Sequence, residues 1–159
     1  YYLAMLYLIE SSDGLGKTTL AKALQCKLRT AYVHHSPPDN WKLENFFEVL
    51  PNAVYDRFHW SMYAYGEVRK QPLELRADDC LAIDRRLQER LIGRYATICL
   101  YASDPGYFDG RPDDHMFTAE AIKSVNERYI KALQYFDMTI DVATTGYPSA
   151  EQVLDFFRL

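Results

Sequence analysis

Cysteine is scarce in this chain, and charge of neither sign dominates it. Cys26, Cys80 and Cys99 lie far apart, with no Cys-x-x-Cys pair and no zinc-ligand spacing. That excludes a disulfide framework and a structural zinc site, and points to reduced thiols in a cytoplasmic compartment. With 18 Lys and Arg against 22 Asp and Glu, the net charge is −4, which argues against a protein that coats nucleic acid. The one basic strip, Arg85, Arg86, Arg90 and Arg94, reads as the solvated face of a helix. No apolar run is long enough to span a bilayer. The opening stretch, Tyr1 to Ile9, lacks a basic flank and reads as a buried strand instead of a signal segment, so no membrane partner is expected. Repeats, low-complexity tracts and inter-domain linkers are also missing, and 159 residues suit a single domain spanning 1–159.

What the chain does contain is concentrated in residues 9–20, IESSDGLGKTTL. An apolar strand runs into a small-residue loop and then into a helix. Gly14, Gly16, Lys17 and Thr18 form the Gly-x-Gly-Lys-Thr end of a Walker A loop, with Asp13, Leu15 and Thr19 completing the phosphate-binding segment. Small residues let successive backbone N–H groups turn inward around phosphate oxygens. The helix N-terminus, the Lys17 ammonium and a Thr18 hydroxyl on magnesium complete the cradle. One departure is visible: Ser11 stands where the loop usually opens with Gly, so the entry turn must form without a residue of free φ.

Beyond the loop, short apolar runs alternate with longer helical stretches, the α/β signature. Strands are predicted at about Leu3–Ile9, Ala31–His34, Ala53–Asp56, Thr97–Tyr101 and Met138–Val142. Helices are predicted at Lys17–Arg29, Trp41–Leu50, Phe58–Lys70, Leu73–Ile92, Thr118–Phe136 and Ser149–Phe157. The expected fold is a three-layer P-loop domain, a five-stranded parallel sheet flanked by helices. Right-handed crossovers in such a sheet place ligands at the carboxyl ends of the strands. Asp56 and Arg57 end one strand, where a carboxylate can hold magnesium and a guanidinium can bridge phosphates.

With these residues in view, most of the chain resembles the thymidylate kinase family, in particular its compact bacteriophage-type members. Asp56-Arg57-Phe58 followed by Ser61, Ala64 and Tyr65 matches the family's Asp-Arg-Tyr helix, and Asp13 to Thr19 matches its DGxGKTT loop. LYASDP (residues 100–105) is similar to the strand before the family's lid, here about 103–117, and Val125 to Tyr129 to a following helix. Thr145, Gly146, Tyr147 and Pro148 resemble the loop that wraps adenine. The resemblance implies a kinase that moves the ATP γ-phosphoryl to a deoxynucleotide with Mg2+ held by Thr18 and Asp56. It implies Lys17, Asp56, Arg57 and the lid residue Arg111 as catalytic groups, with Ser61 and Tyr65 at the acceptor. Homodimers are compatible with it. Asp109, Asp113 and Asp114 read as a solvated acidic turn, and His115 as a surface side chain.

The chain departs from the family between Arg29 and Arg57, where no Arg occurs and the strand end reads His34-His35-Ser36-Pro37-Pro38. A monophosphate acceptor normally needs a bidentate cation, whereas a hydroxyl acceptor needs a general base. Arg57, Arg69 and Arg76 are candidates for the first, and His34, His35 and Asp39 for the second. Monophosphate is the favoured acceptor, and a deoxynucleoside or a hydroxymethylated pyrimidine in DNA is the alternative. A non-catalytic nucleotide-binding regulator is the third reading. Missing Asn-Lys-x-Asp disfavours a GTPase switch, and Arg57 after Asp56 disfavours a mechanical ATPase. Phe58, Trp60, Tyr63 and Tyr65, or Trp41, Phe46 and Phe47, are the aromatic rings that offer stacking faces, though most must fill the core.

Overall fold

The computed structural model describes residues 5–110 and 117–158. Arg111, Asp113, Asp114 and His115, and the Tyr1–Ala4 start of the expected first strand, lie outside the described residues.

Five strands form one parallel sheet: β1 (Leu6–Glu10), β2 (Ala31–His34), β3 (Ala53–Asp56), β4 (Tyr95–Tyr101) and β5 (Met138–Asp141), in the order β2-β3-β1-β4-β5. The α/β class is therefore as expected. Every residue of β1 is buried, because a central parallel strand has both faces covered; the edge strands β2 and β5 are only partly so. Chain order reverses direction across the sheet at β1, which pairs with β3 on one side and β4 on the other. The crevice at that switch point is where such sheets bind ligands. Register puts Ile9 and His34 both level with Asp56, so the three strand ends open into one place.

The helices are α1 (Lys17–Leu28), α2 (His59–Tyr65), α3 (Ala77–Arg90), α4 (Ala119–Ala132), α5 (Val142–Thr145) and α6 (Ala150–Phe157). Apolar residues spaced three and four apart turn inward: Leu20, Ala21 and Leu24 on α1, Cys80, Ile83 and Leu87 on α3, Ile122, Val125 and Tyr129 on α4. Thr118 caps α4 by accepting from the Ala121 amide at 3.1 Å, and Ser149 with Gln152 forms a reciprocal capping box on α6. Asn126 on α4 holds both the amide and the carbonyl of Ala102, tying that helix to the end of β4.

Three expected helices are corrected. Trp41–Leu50 holds only a short 3-10 turn at Leu43–Phe47, which follows Pro37-Pro38 and opens where the Asn45 side chain takes the Lys42 amide at 2.8 Å. The helix expected over Phe58–Lys70 stops at Tyr65. The one expected from Leu73 begins at Ala77, where the Asp79 carboxylate caps the Arg76 amide. The cysteines are free, and burial pushes the Cys80 and Cys99 thiols up. Among the described residues no helix is long and apolar enough to cross a membrane. The basic strip meets a bland end: Arg86 stacks on Phe47 at 4.1 Å and Arg90 donates to the Phe47 carbonyl, at the end of the sheet opposite the strand tips.

Candidate active site

The loop after β1 turns at Gly14 (φ 86°) and Gly16 (φ 83°). Gly16 is constrained twice, since a Cβ there would also stand 2.7 Å from Cδ1 of Tyr147. Ser11, by contrast, needs no left-handed backbone. Its hydroxyl donates to the Ser12 carbonyl at 2.7 Å, so the entry turn forms with a serine.

Asp56, at the tip of β3, is fully buried and collects four side chains from two elements, α1 and β2. Lys17 Nζ lies 3.0 Å from Oδ1. Thr18 Oγ1 and Tyr32 OH each donate to Oδ2 at 2.7 Å, and His34 Nδ1 is 3.4 Å from the same oxygen. Burial alone would raise this carboxyl; the Lys17 charge and the two hydroxyl donors reverse that and hold it at about 2. Burial, assisted by this carboxylate, pushes Tyr32 up to about 12. Tyr32 was not expected at the site, although it lies two residues before His34 on one face of β2, and strand alternation carries that signal.

Arg57 follows in a left-handed conformation, φ 71°, with its amide donating to the Ile9 carbonyl at 3.0 Å. Its guanidinium pairs with Asp13 and lies over the Tyr65 ring at 4.7 Å, while Tyr65 OH donates to Asp13 at 3.0 Å. Loop and Asp-Arg strand end are thus bonded to each other directly. Arg69 extends the stack, 5.7 Å from the Tyr65 ring and 5.5 Å from Phe117.

Two cavities meet here. A cleft of about 370 Å³ on the loop side is lined by residues 12–14, 16–19, His34 and Arg57. A second cavity of about 480 Å³ is lined by His35, Arg57, Tyr65, Arg69, Lys70 and Phe117 among others. Asp13, His34 and Arg57 line both. The loop Thr145–Pro148 arrives at the first of these clefts, with Tyr147 against Gly16 and bonded to Tyr107.

Other expected residues are placed differently. Ser61 borders the second cavity, but its hydroxyl is committed to Glu10 at 2.5 Å, with Tyr129 OH 3.2 Å away. Arg76 lies in a separate recess behind α2, with Glu67, Glu74 and Arg128, and does not reach the second cavity. Trp60 and Phe46 are buried in the core, as is Phe58, which also borders the second cavity. Asp109 pairs with Lys123. Glu10 was missed; a lone carboxylate at the end of an otherwise apolar strand was the available signal.

Thr18 and Asp56 offer hard oxygen donors bridged at 2.7 Å, a set that suits magnesium. Among the described residues no cluster of three or more His, Cys, Asp or Glu surrounds a metal position.

No family model matches the chain, and no curated protein matches it in sequence. Solved structures do. The YorR protein of Bacillus subtilis, in complex with phosphorylated GDP, superposes with a TM-score of 0.74 at 20% identity, covering 95% of this chain and 94% of that one. Deoxyadenosine kinase from M. mycoides, with products dCMP and dCDP, gives 0.55 at 15% identity, covering 95% and 97%. The same enzyme with bound dATP gives 0.51 at 14%, again covering 95% and 97%. The chain has the fold these nucleotide-binding proteins share.

Proposed function

We propose that this protein transfers the γ-phosphoryl group of ATP to a deoxynucleoside monophosphate, thymidylate-like, with magnesium. The observation that carries the reading is the meeting of a phosphate cleft and a second cavity at Arg57 and Asp13. Loop amides and Lys17 bind the β- and γ-phosphates. Lys17 now neutralises Asp56; a triphosphate offers that ammonium a stronger partner and leaves Asp56 and Thr18 to hold magnesium. When bound, the ion neutralises charge on the transferring group. Arg57 orients both nucleotides from its shared position, and the lid residue Arg111 is assigned the remaining charge by resemblance. The work is positioning and electrostatics. Thr145–Pro148, beside the loop, is the assigned adenine contact.

The charge of the second cavity supports a monophosphate. Arg57, Arg69 and Lys70 line it, and of its two carboxylates Asp13 is bonded to Arg57 and Tyr65, leaving Asp39 at an exposed position. Deoxyadenosine kinase shares the fold and is named for a hydroxyl acceptor, which makes a deoxynucleoside the second reading; His34 beside Asp56 is then the base candidate. Radiolabelled ATP with magnesium, offered deoxynucleoside monophosphates, deoxynucleosides and a hydroxymethylpyrimidine oligonucleotide, separates them. Labelled diphosphate is expected. Transfer only to a hydroxyl overturns the first reading, and tight ATP binding with no acceptor labelled overturns both.

A further inference from the structure

Resting on that reading, in which Arg57 touches both nucleotides, we infer that Glu10 is the positioning residue that holds the Arg57 turn from inside the core. A left-handed backbone at a residue with a Cβ does not persist unless its surroundings fix it. At Arg57 (φ 71°) two consecutive amides are fixed by two consecutive residues at the tip of β1. The Arg57 amide donates to the Ile9 carbonyl at 3.0 Å, and the Phe58 amide donates to Glu10 Oε1 at 2.7 Å. The turn is clamped on both sides of the Arg57 Cα.

Glu10 is itself immobilised. It has no exposed surface. Oε1 also accepts from the Ser61 amide at 3.3 Å, which caps α2 where the N-cap residue, Phe58, has no side chain able to do so. Oε2 accepts from Ser61 Oγ at 2.5 Å and Tyr129 OH at 2.8 Å. Four donors from α2, its N-terminal turn and α4 therefore converge on one carboxylate, and none of them is a Lys or Arg. A shift of Glu10 leaves several buried donors unsatisfied at once, so the carboxylate stays and the turn stays with it. Burial raises this carboxyl, and the Ser61 hydroxyl, the nearby His59, the Tyr129 hydroxyl and the Phe58 amide oppose that.

The chemistry requires acceptance at Phe58, not negative charge. Glu10→Gln can present its carbonyl to the Phe58 amide and its NH2 to the hydroxyls of Ser61 and Tyr129, which then accept. Glu10→Asp is one methylene short, and Glu10→Leu accepts nothing. The test compares these three with the wild type in steady-state phosphotransfer from ATP to deoxynucleoside monophosphates, and adds crystal structures of the Gln and Asp variants. Expected are a kcat within about threefold for Gln, and losses for Asp and Leu reaching about 100-fold, the scale of a roughly 1 Å misplacement. In the Asp variant's structure Arg57 leaves the left-handed region and its contact with Asp13; in the Gln variant's it does not. Losses from Glu10→Leu and Arg57→Ala should not add, since both act through one guanidinium. The inference is overturned by an Asp variant whose Arg57 turn is unchanged, or by a Gln variant as impaired as Leu. A wild type that phosphorylates no monophosphate sinks the functional reading, while the geometry of Arg57 in the Asp variant still decides the role of Glu10.

Discussion

The two cavities that meet at Arg57 are built in opposite ways. On the loop side the charges are matched within the chain: Lys17, Thr18, Tyr32 and His34 all gather on Asp56, and Ser12 Oγ is the buried atom there without a hydrogen bond among the described residues. On the other side polar atoms are left over. Among the described residues His35 Nε2, Gln71 Nε2 and Arg57 Nε are buried with no hydrogen-bond partner, and so is Trp41 Nε1, whose ring packs 5.1 Å from that of His35. Buried polar groups are paired in most proteins, because leaving one unmade forfeits its hydration. The difference teaches that the first side is preorganised by charges matched on Asp56, whereas the second is shaped by aromatic packing. A charge already matched within the protein can be exchanged for phosphate; an unmatched imidazole has to be kept neutral.

The sharpest way to break this contrast is at Lys17. Lys17→Ala is expected to lower phosphotransfer by about 3–4 kcal/mol of barrier, as for loss of one preorganised donor. A kinetic assay that found near-full activity would remove the phosphate side from the mechanism. Acid is the next probe. Burial, with His59 and His34 nearby, lowers His35 to about 4. Since its folded pKa lies below its unfolded one, the unfolded chain takes the proton first. Stability is therefore complete above about pH 6.5 and falls as pH drops towards 4, by up to roughly 3 kcal/mol at about 1.4 kcal/mol per unit. Asp56 acts lower down: held at about 2, it contributes stability above its ordinary value that is lost only as pH falls through 2. Urea melts across pH 7 to 4 should slope for the wild type and flatten for His35→Leu; equal slopes would show that the acceptor side is not the weaker one in acid.

Arg69→Ala tests the two sides for independence. An acceptor KM raised about tenfold, with kcat and the KM for ATP unchanged, is the expected loss of uniform binding; a raised KM for ATP would merge the two cavities into one. The smallest effect lies remote from both. Ile92 is a β-branched residue at φ 53° with 86% of its surface exposed. Ile92→Gly should raise stability by about 1 kcal/mol in thermal melts and leave both KM values alone.

Much of the sheet was legible, because periodicity is a local signal and β2, β3 and the start of α1 follow it to the residue. The aromatic-rich stretch 41–50 was misread as a helix, since apolar spacing there serves packing: Phe46 lies under Phe58, Trp41 and His35. Serine at position 61 illustrates a different failure. Its offset from Asp56 suits an acceptor contact, yet the buried carboxylate of Glu10 claims its hydroxyl.

By itself the sequence determined the phosphate loop, the Asp-Arg strand end and the parallel α/β order, because each rests on residues adjacent in the chain whose backbone preferences act over a few positions. Only the tertiary structure decided which cations face the second cavity, which aromatics are walls and which are core, and that Glu10 meets Tyr129 across 119 positions. Such contacts depend on where whole elements pack, and the burial of one group changes what its neighbours can afford to leave unpaired.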